Sequence, residues 1–259
     1  MNRFGSIVAA LATLFMWSLN GCSSTVQMTS AWNDNTIVID GADGDWGTSL
    51  KPMANSPIAV GVRNDGEFLY VCLSTQDPFI QAQILNGGLT VWFDPKGGEE
   101  ETFGIRFPLR GENAPRWNSR EPLTTNFQFF EPSFQELALV GSEDQQEIFS
   151  ILQVKGIKIK LGASEKSLVY ELQIPLQPSA ERPHAVGIGE KQILGLGFKT
   201  PEFGSDRVQG PSGRASAGTR GGGRRGGRGG VGAGVDVAGG NRPESLDLWT
   251  RVVLTSQQQ

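Results

Sequence analysis

Cysteine and histidine are scarce in this sequence, and their scarcity argues against several kinds of site. The 259 residues include two cysteines, Cys22 and Cys72, and one histidine, His184. Structural zinc sites take four cysteine or histidine ligands, and haem iron needs axial ligands of a few types, so neither centre is favoured. The sequence also lacks a G-x-S-x-G motif, which leaves no nucleophile elbow of the hydrolase type.

The N-terminal apolar stretch is too short to span a membrane. It runs for 13 residues from Ile7 to Leu19, whereas a transmembrane helix needs roughly 20. With Arg3 before it, the stretch has the layout of a bacterial export signal. It ends at "LNGC", which resembles the lipobox of bacterial lipoproteins, with Cys22 as the lipidated residue. We expect a signal peptide over 1–21 and a lipid anchor in the bacterial cell envelope. Because Ser23 follows Cys22, we expect the outer membrane; the alternative is an ordinary secretory signal.

Positive charge is concentrated in one glycine-rich segment of an otherwise acidic chain. The whole sequence has 23 Lys and Arg against 27 Asp and Glu. Residues 210–240 contain 14 glycines and one aspartate, and they cannot bury enough apolar surface to offset chain entropy. We expect a disordered insertion at about 205–242. An exported protein does not ordinarily meet cellular nucleic acid, so its expected partner is an anionic envelope polymer, glycan or protein surface. The five arginines of this segment are Arg214, Arg220, Arg224, Arg225 and Arg228.

Several segments alternate between apolar and polar residues, which predicts β-strands. In "SLVYELQIPL" Leu168, Tyr170, Leu172 and Ile174 share one face, while "FLYVCLST" is apolar on both faces and suits a central strand. We find no helical periodicity with a capping signal, so the predicted fold is an all-β, antiparallel β-sandwich. We expect a polar tether over 22–35, the sandwich over 36–254 and a polar tail over 255–259.

The order of these segments resembles a known family. "IVIDGADGDWG", "VRNDGEFLYVCLSTQDP", "LTVWFDPKG", "LVYELQIPL", "LGLGFKT" and "LDLWTRVVL" are similar to successive motifs of family 9 carbohydrate-binding modules and the related DOMON-like sandwiches. The resemblance covers most of 37–254. It implies a non-catalytic sandwich that binds sugar between two tryptophans on loops. At the two matching places this chain has Asn86, Gly87 and Gly88, and then the Gly/Arg segment, so both tryptophans are missing.

Other aromatic residues could take over sugar binding. Trp117 is flanked by Arg116 and Arg120 in a loop-like stretch, so its ring could form a platform or could anchor its own loop. Trp92 points away from Val91 and Phe93, and its ring could stack on a ligand or lie under a covering loop.

Three aspartates close together raise the question of a metal. Asp40, Asp43 and Asp45 could supply oxygen ligands to a structural Ca²⁺ ion, although the bidentate glutamate of a calcium loop is missing. The alternative is a turn in which the carboxylates accept hydrogen bonds from their own backbone. Cys72, which has no partner for a disulfide once Cys22 is acylated, is expected to be a buried small apolar residue.

The sequence thus predicts a lipid-anchored, non-catalytic module that binds a glycan or another envelope polymer. It could serve as an accessory to a polysaccharide-degrading or uptake system. No pair of carboxylates stands out for glycoside hydrolysis. The alternative function is a structural or assembly lipoprotein that contacts protein partners and has lost sugar binding. Exposed aromatic side chains beside polar loops favour the first function, and a smooth polar surface favours the second.

Overall fold

Thirteen β-strands and two helices form the part of the chain described by the computed structural model, which comprises residues 26–34, 36–111, 116–117, 123–141, 145–164, 166–202 and 244–257. The strands are β1 (Val26–Thr29), β2 (Ala31–Trp32), β3 (Leu50–Pro52), β4 (Ile58–Asn64), β5 (Phe68–Thr75), β6 (Leu89–Asp94), β7 (Phe103–Phe107), β8 (Glu136–Gly141), β9 (Gln146–Ser150), β10 (Lys158–Ser164), β11 (Ser167–Pro175), β12 (Ile193–Lys199) and β13 (Asp247–Val253). The helices are α1 (Pro78–Gly87) and α2 (Leu123–Phe130), and short 3₁₀ turns lie at Gly47–Ser49 and Glu131–Ser133.

The strands form two sheets that pack face to face. The larger sheet has seven strands in the order β1-β13-β12-β6-β7-β8-β9. The smaller sheet has the order β10-β11-β5-β4-β2, with β3 beside β4. Neighbouring strands run antiparallel except for two pairs, β1 with β13 and β2 with β4. The predicted β-sandwich is therefore confirmed, with parallel pairs at two of its edges.

The core between the sheets is made by the alternating faces that the sequence shows. On β11, the side chains of Leu168, Tyr170, Leu172 and Ile174 are all 0% exposed, and they belong to one apolar cluster with Val91 and Phe93 of β6 and their neighbours. Full burial of such a side chain stabilises the fold by about 1.5–3 kcal/mol. The period-two pattern therefore reflects the packing of one sheet on the other.

The outer face of the smaller sheet is covered by the segment that precedes β3. Trp46 is fully buried there in a second apolar cluster with Tyr70, Cys72 and Val169. Its indole lies on the glycine backbone of β4, because a Cβ atom at Gly61 would lie 2.7 Å from Trp46 Cε3. This cover explains why β5 is apolar on both faces and why its Cys72 thiol is buried.

The expectation that the chain lacks capped helices is wrong. Helix α1 has Asp77 as its N-cap, whose carboxylate accepts hydrogen bonds from the backbone N–H groups of Phe79 and Ile80. Pro78 occupies the first turn, where its missing N–H costs nothing, and Gly88 follows the last residue. The N-cap, the proline and the terminal glycine are all visible in "DPFIQAQILNGG", so the sequence carried this signal.

The predicted tether over 22–35 is also wrong for its described residues. Strand β1 pairs with β13 and strand β2 pairs with β4, so the sandwich begins by Val26. These strands looked like a tether because they lie at sheet edges, where Met28 alone among the four residues of β1 is buried. Thr255 is held as well, because its backbone N–H donates to Ser30 Oγ at 2.8 Å. The predicted insertion at about 205–242 lies outside the described residues.

Within the described ranges, neither helix is long and apolar enough to cross a membrane.

Candidate functional site

The three clustered aspartates lie in a turn and bind different donors within the protein. Asp40 Oδ1 accepts from the backbone N–H of Ala42 at 2.9 Å, and Asp45 Oδ2 accepts from that of Val38 at 2.8 Å. Asp43 Oδ2 accepts from Ser74 Oγ at 3.2 Å. In the described part of the chain, no group of three or more His, Cys, Asp or Glu side chains is placed to hold a metal ion. This geometry is that of a self-capping turn.

A buried glutamate beneath this turn holds the turn against the smaller sheet. Glu171 of β11 is 0% exposed. Its carboxylate accepts from Trp46 Nε1 at 2.6 Å, from Gly41 N at 2.6 Å and from Asp40 N at 3.0 Å. Burial raises the pKa of Glu171, and the three hydrogen bonds oppose that rise. Glu171 is therefore a structural group, closed off from any ligand.

Trp117 anchors its own loop, and its ring is not free to stack on a ligand. The side chain is 5% exposed and meets Phe130 of α2 edge to face, with ring centroids 5.2 Å apart. Asn86 fixes its backbone from both sides: Trp117 N donates to Asn86 Oδ1 at 2.7 Å, and Asn86 Nδ2 donates to Trp117 O at 2.9 Å. Arg116 is exposed, and Arg120 lies outside the described residues.

Trp92 and Trp249 lie on the outer face of the larger sheet, each flat on a glycine. A Cβ atom at Gly104 would lie 2.7 Å from the Trp92 ring, and one at Gly197 would lie 2.8 Å from the Trp249 ring. Trp92 is only 6% exposed, which leaves almost no ring surface for a ligand. Trp249 is half-buried on this outer face.

A groove at one end of the sandwich presents an exposed aromatic ring among polar groups. The Phe79 groove is lined by residues 55–57, Asp77, Phe79, Ile80 and residues 244–248, and its volume is about 300 Å³. Phe79 is 47% exposed, whereas its neighbour Ile80 is 6% exposed and packs into the core. The cap at Asp77 starts α1 at this point, so the helix buries Ile80 and leaves the Phe79 ring at the surface.

The opposite wall of the groove, residues 244–248, is held in place by buried hydrogen bonds. Gln83 of α1 donates from Nε2 to the backbone carbonyl of Glu244 at 3.0 Å. Gln83 Oε1 accepts from Thr200 Oγ1 at 2.7 Å, and Thr200 Oγ1 accepts from Leu246 N at 2.8 Å. Because Gln83 and Thr200 are themselves buried, this wall is fixed relative to α1.

The polar groups of the groove are mostly acceptors. Asp77, Glu244 and Asp247 contribute carboxylates, and Asn55 contributes an amide. Ser56 Oγ is buried without a hydrogen-bond partner and is closed to water, so it is not available to a ligand.

Two other cavities are less suited to a polar ligand. The cavity at the opposite end of the sandwich has about 420 Å³ and includes Trp32 and Asp65. Asp65 is already occupied, because it accepts from Glu67 N, Phe68 N and Tyr70 Oη. A third cavity, of about 250 Å³, opens beside Phe107 and Phe134, with the ion pair of Lys160 and Glu131 at its lining. The Phe79 groove combines the more exposed aromatic ring with three acidic residues in its lining.

Sequence reasoning missed Phe79 because it took "TQDP" as the end of a motif of the resembled family and did not look for a helix there. The Asp-Pro pair at 77–78 is a signal of a helix start. With α1 starting at Pro78, Ile80 is buried in the core and Phe79 lies at the surface beside Asp77. The residues of the far wall could not be assigned by sequence, since they join the groove only through tertiary contacts.

Comparison with known proteins gives matches among solved structures alone. No protein-family model and no curated protein matches the sequence. A family 9 carbohydrate-binding module from Caldicellulosiruptor kristjanssonii, solved with glucose, is 11% identical, with 90% of this chain and 97% of that chain covered and a TM-score of 0.39. A family 9 module from the same organism, solved with cellotriose, is 12% identical, with 67% and 75% covered and a TM-score of 0.34. Both identities and both TM-scores are low, and the assignment of a β-sandwich rests on the two sheets of this chain itself.

Proposed function

We propose that this protein is a non-catalytic binding module that takes the end of a glycan chain in the Phe79 groove. The observation that carries the proposal is the 47% exposed phenyl ring of Phe79, placed beside carboxylate, amide and hydroxyl groups. An aromatic face contacts the C–H surface of a sugar ring, while neighbouring acceptors bind its hydroxyls. An exposed aromatic side chain among polar loops is also the feature that favours glycan binding over a purely structural role.

The size and position of the groove support a small part of a glycan as ligand. Its volume of about 300 Å³ is at the lower end of the ~300–1,000 Å³ typical of small-molecule sites, which suits one or two sugar rings. The groove lies between the first turn of α1 and residues 244–248, which follow the Gly/Arg segment. The resemblance to family 9 modules placed one of the two sugar-clamping tryptophans in that segment, and we propose that Phe79 takes over its role. The other expected position, residues 86–88, lies at the opposite end of α1 from Phe79.

We propose a binding role without catalysis. Glu171 is sealed beneath Trp46 and cannot reach a ligand. For the carboxyl groups of the groove, we propose the role of hydrogen-bond acceptors for sugar hydroxyls.

The proposed setting is the bacterial cell envelope, with a lipid on Cys22 as anchor and the outer membrane as its site. The support is the lipobox-like "LNGC" after a short apolar stretch. The five arginines of the Gly/Arg segment would add a salt-sensitive attraction to anionic envelope polymers. Cys22 and these arginines lie outside the described residues, so this setting is proposed from the sequence.

The experiment that tests glycan binding compares two phenylalanine variants. Titration calorimetry of the full chain with a panel of neutral oligosaccharides should identify a binder, and Phe79→Ala should weaken it by more than tenfold, since stacking contributes about 1–1.5 kcal/mol beyond its buried area. Phe129→Ala removes a 75% exposed phenyl ring outside the groove and should leave the affinity unchanged. Equal affinities of Phe79→Ala and wild type, or no binder in the panel, would refute the proposal and favour a protein-binding role.

A further inference from the structure

We infer that the Phe79 groove selects a sugar that carries a protonated amino group over the neutral sugar, and rejects an acidic one. This inference rests on the proposed glycan-binding function and concerns the charge of the ligand. It follows from the charges that line the groove, from their fixed positions and from the two ion pairs of Lys199.

The charged side chains that line the groove are all acidic. Asp77, Glu244 and Asp247 contribute three carboxylates, and no lysine or arginine belongs to the described lining. A carboxylate only accepts hydrogen bonds, whereas an ammonium group has three donors. An amino sugar therefore offers this groove both the donors and the charge that its walls lack.

Lys199, which forms an ion pair with Asp247 of the lining, is already shared by two carboxylates. Its Nζ lies 3.1 Å from Asp247 Oδ2 and 2.7 Å from Glu101 Oε1. Its positive charge is thus offset locally, and it is held towards Glu101 and the Trp249 ring, whose centroid lies 6.0 Å from Nζ. A uronic acid in the groove would add a further carboxylate near this excess of negative charge and find no free cation in the described lining.

The carboxylates are also held near the place where the ring of a sugar would stack. Asp77 precedes Phe79 by two residues and is fixed by its hydrogen bonds to Phe79 N and Ile80 N, both at 2.9 Å. Glu244 is fixed through its backbone by Gln83. A sugar ring on Phe79 would therefore bring its ring substituents close to two acidic walls.

The expected preference is moderate because the groove is open to water. An exposed ion pair contributes at most about 1 kcal/mol, which corresponds to about fivefold in affinity. The preference should weaken as salt rises, because the Debye length shrinks from about 10 Å at 0.1 M to about 3 Å at 1 M. Stacking on Phe79 involves no net charge and should be much less sensitive to salt.

The test uses three trisaccharides of matched length on the full chain: a β-1,4-linked glucosamine trimer, cellotriose and trigalacturonate. At about pH 6, where amines are protonated, calorimetry in low salt should show the glucosamine trimer binding up to about fivefold tighter than cellotriose, and no detectable binding of trigalacturonate. At about 1 M salt, the ratio of the first two affinities should fall towards one.

Two variants assign the preference to the groove. Glu244→Gln and Asp77→Asn should each reduce the ratio between glucosamine trimer and cellotriose; asparagine also caps helices, so α1 is retained. Glu147→Gln removes an exposed carboxylate on β9 and should leave the ratio unchanged.

If cellotriose binds through Phe79 but the glucosamine trimer binds no better, the charge selection is wrong and the glycan site stands. If no trisaccharide binding depends on Phe79, the proposed function itself fails. A preference unchanged in both groove variants would also overturn the inference.

Discussion

Glu171 shows how a single charged side chain can organise a cover over a sheet. Its carboxylate is fully buried and accepts hydrogen bonds from Trp46, Gly41 and Asp40. A buried carboxylate is costly unless its oxygens are paired, so these three donors tie the aspartate-rich turn to β11. The residues "IDGADGDW" therefore serve the fold, and a metal is not needed to explain their carboxylates.

The indole donor of Trp46 should be one of the more costly single groups to remove. In Trp46→Phe, Glu171 Oε1 loses its 2.6 Å hydrogen bond inside a buried site, and we expect a loss of about 2–4 kcal/mol in the free energy of unfolding near pH 7. The matched control is Trp249→Phe, at a half-buried tryptophan on the outer face of the other sheet, which should cost less. Denaturant unfolding measures both; equal losses would contradict the role given to the hydrogen bond.

The same variant gives a prediction about pH. The bond from Trp46 favours the ionised carboxylate, while burial raises the pKa of Glu171 above its ordinary value. Because the folded pKa lies above the unfolded one, protonation of Glu171 favours the folded state as pH falls. Removal of the indole donor costs less free energy when the Glu171 carboxyl group is protonated than when it is ionised. The cost of Trp46→Phe should therefore shrink from pH 7 towards about pH 4.5, and a constant cost would contradict this.

At the scale of an element, helix α1 connects the stability of the fold to the proposed site. Its N-cap fixes the position of Phe79, and its buried Gln83 holds the far wall of the groove. Its apolar residues, including Ile84 and Leu85, are inserted into the core. One short helix thus places both sides of the groove.

Removal of the cap should affect stability and binding together. Asp77→Ala leaves the N–H groups of Phe79 and Ile80 without an acceptor, and we expect a loss of about 1 kcal/mol in stability. The same change frees the first turn that carries Phe79, so the affinity for a bound oligosaccharide should also fall. Asp77→Asn keeps a capping oxygen and should remain close to wild type in thermal unfolding. A helix start as stable in Asp77→Ala as in Asp77→Asn would show that the cap is dispensable.

At the scale of the whole molecule, the proposed lipid on Cys22 would set the distance between the sandwich and a membrane. The first described strand begins at Val26, four positions after Cys22. Four residues span at most about 14 Å even when fully extended. A lipid on Cys22 would therefore hold the sandwich close to the bilayer surface, with a much shorter tether than its polar sequence suggests.

The lipid anchor is tested by Cys22→Ser. This change removes the thiol that we propose to be acylated, and since the rest of the chain is acidic and lacks a long apolar stretch, the protein should move from the membrane fraction to the soluble fraction. Fractionation followed by a wash in high salt measures the shift. The matched control is Cys72→Ser, which lies in β5 and should leave the protein in the membrane fraction. Retention of Cys22→Ser after the salt wash would refute the anchor.

The prediction from sequence was accurate wherever a strand packs on one face. Strands β5, β6, β11 and β12 coincide with predicted apolar or alternating segments, because the burial of every second side chain leaves a period of two in the sequence. It failed at the edges, where β1 and β2 bury few side chains and leave little pattern. Ile37 and Ile39 lie outside the strands, in the cover over the smaller sheet.

The sequence by itself determined the sandwich, the buried Cys72, the start of α1 at its Asp-Pro pair, and the acidic excess of the chain. Only the tertiary structure decided which aromatic ring is available to a ligand. Trp92 and Trp117 look as suitable as Phe79 in the sequence, yet a glycine beneath one ring and an asparagine beside the other bury them, while Phe79 remains exposed. Exposure depends on what packs against a side chain from distant parts of the chain, and local sequence carries no record of those contacts.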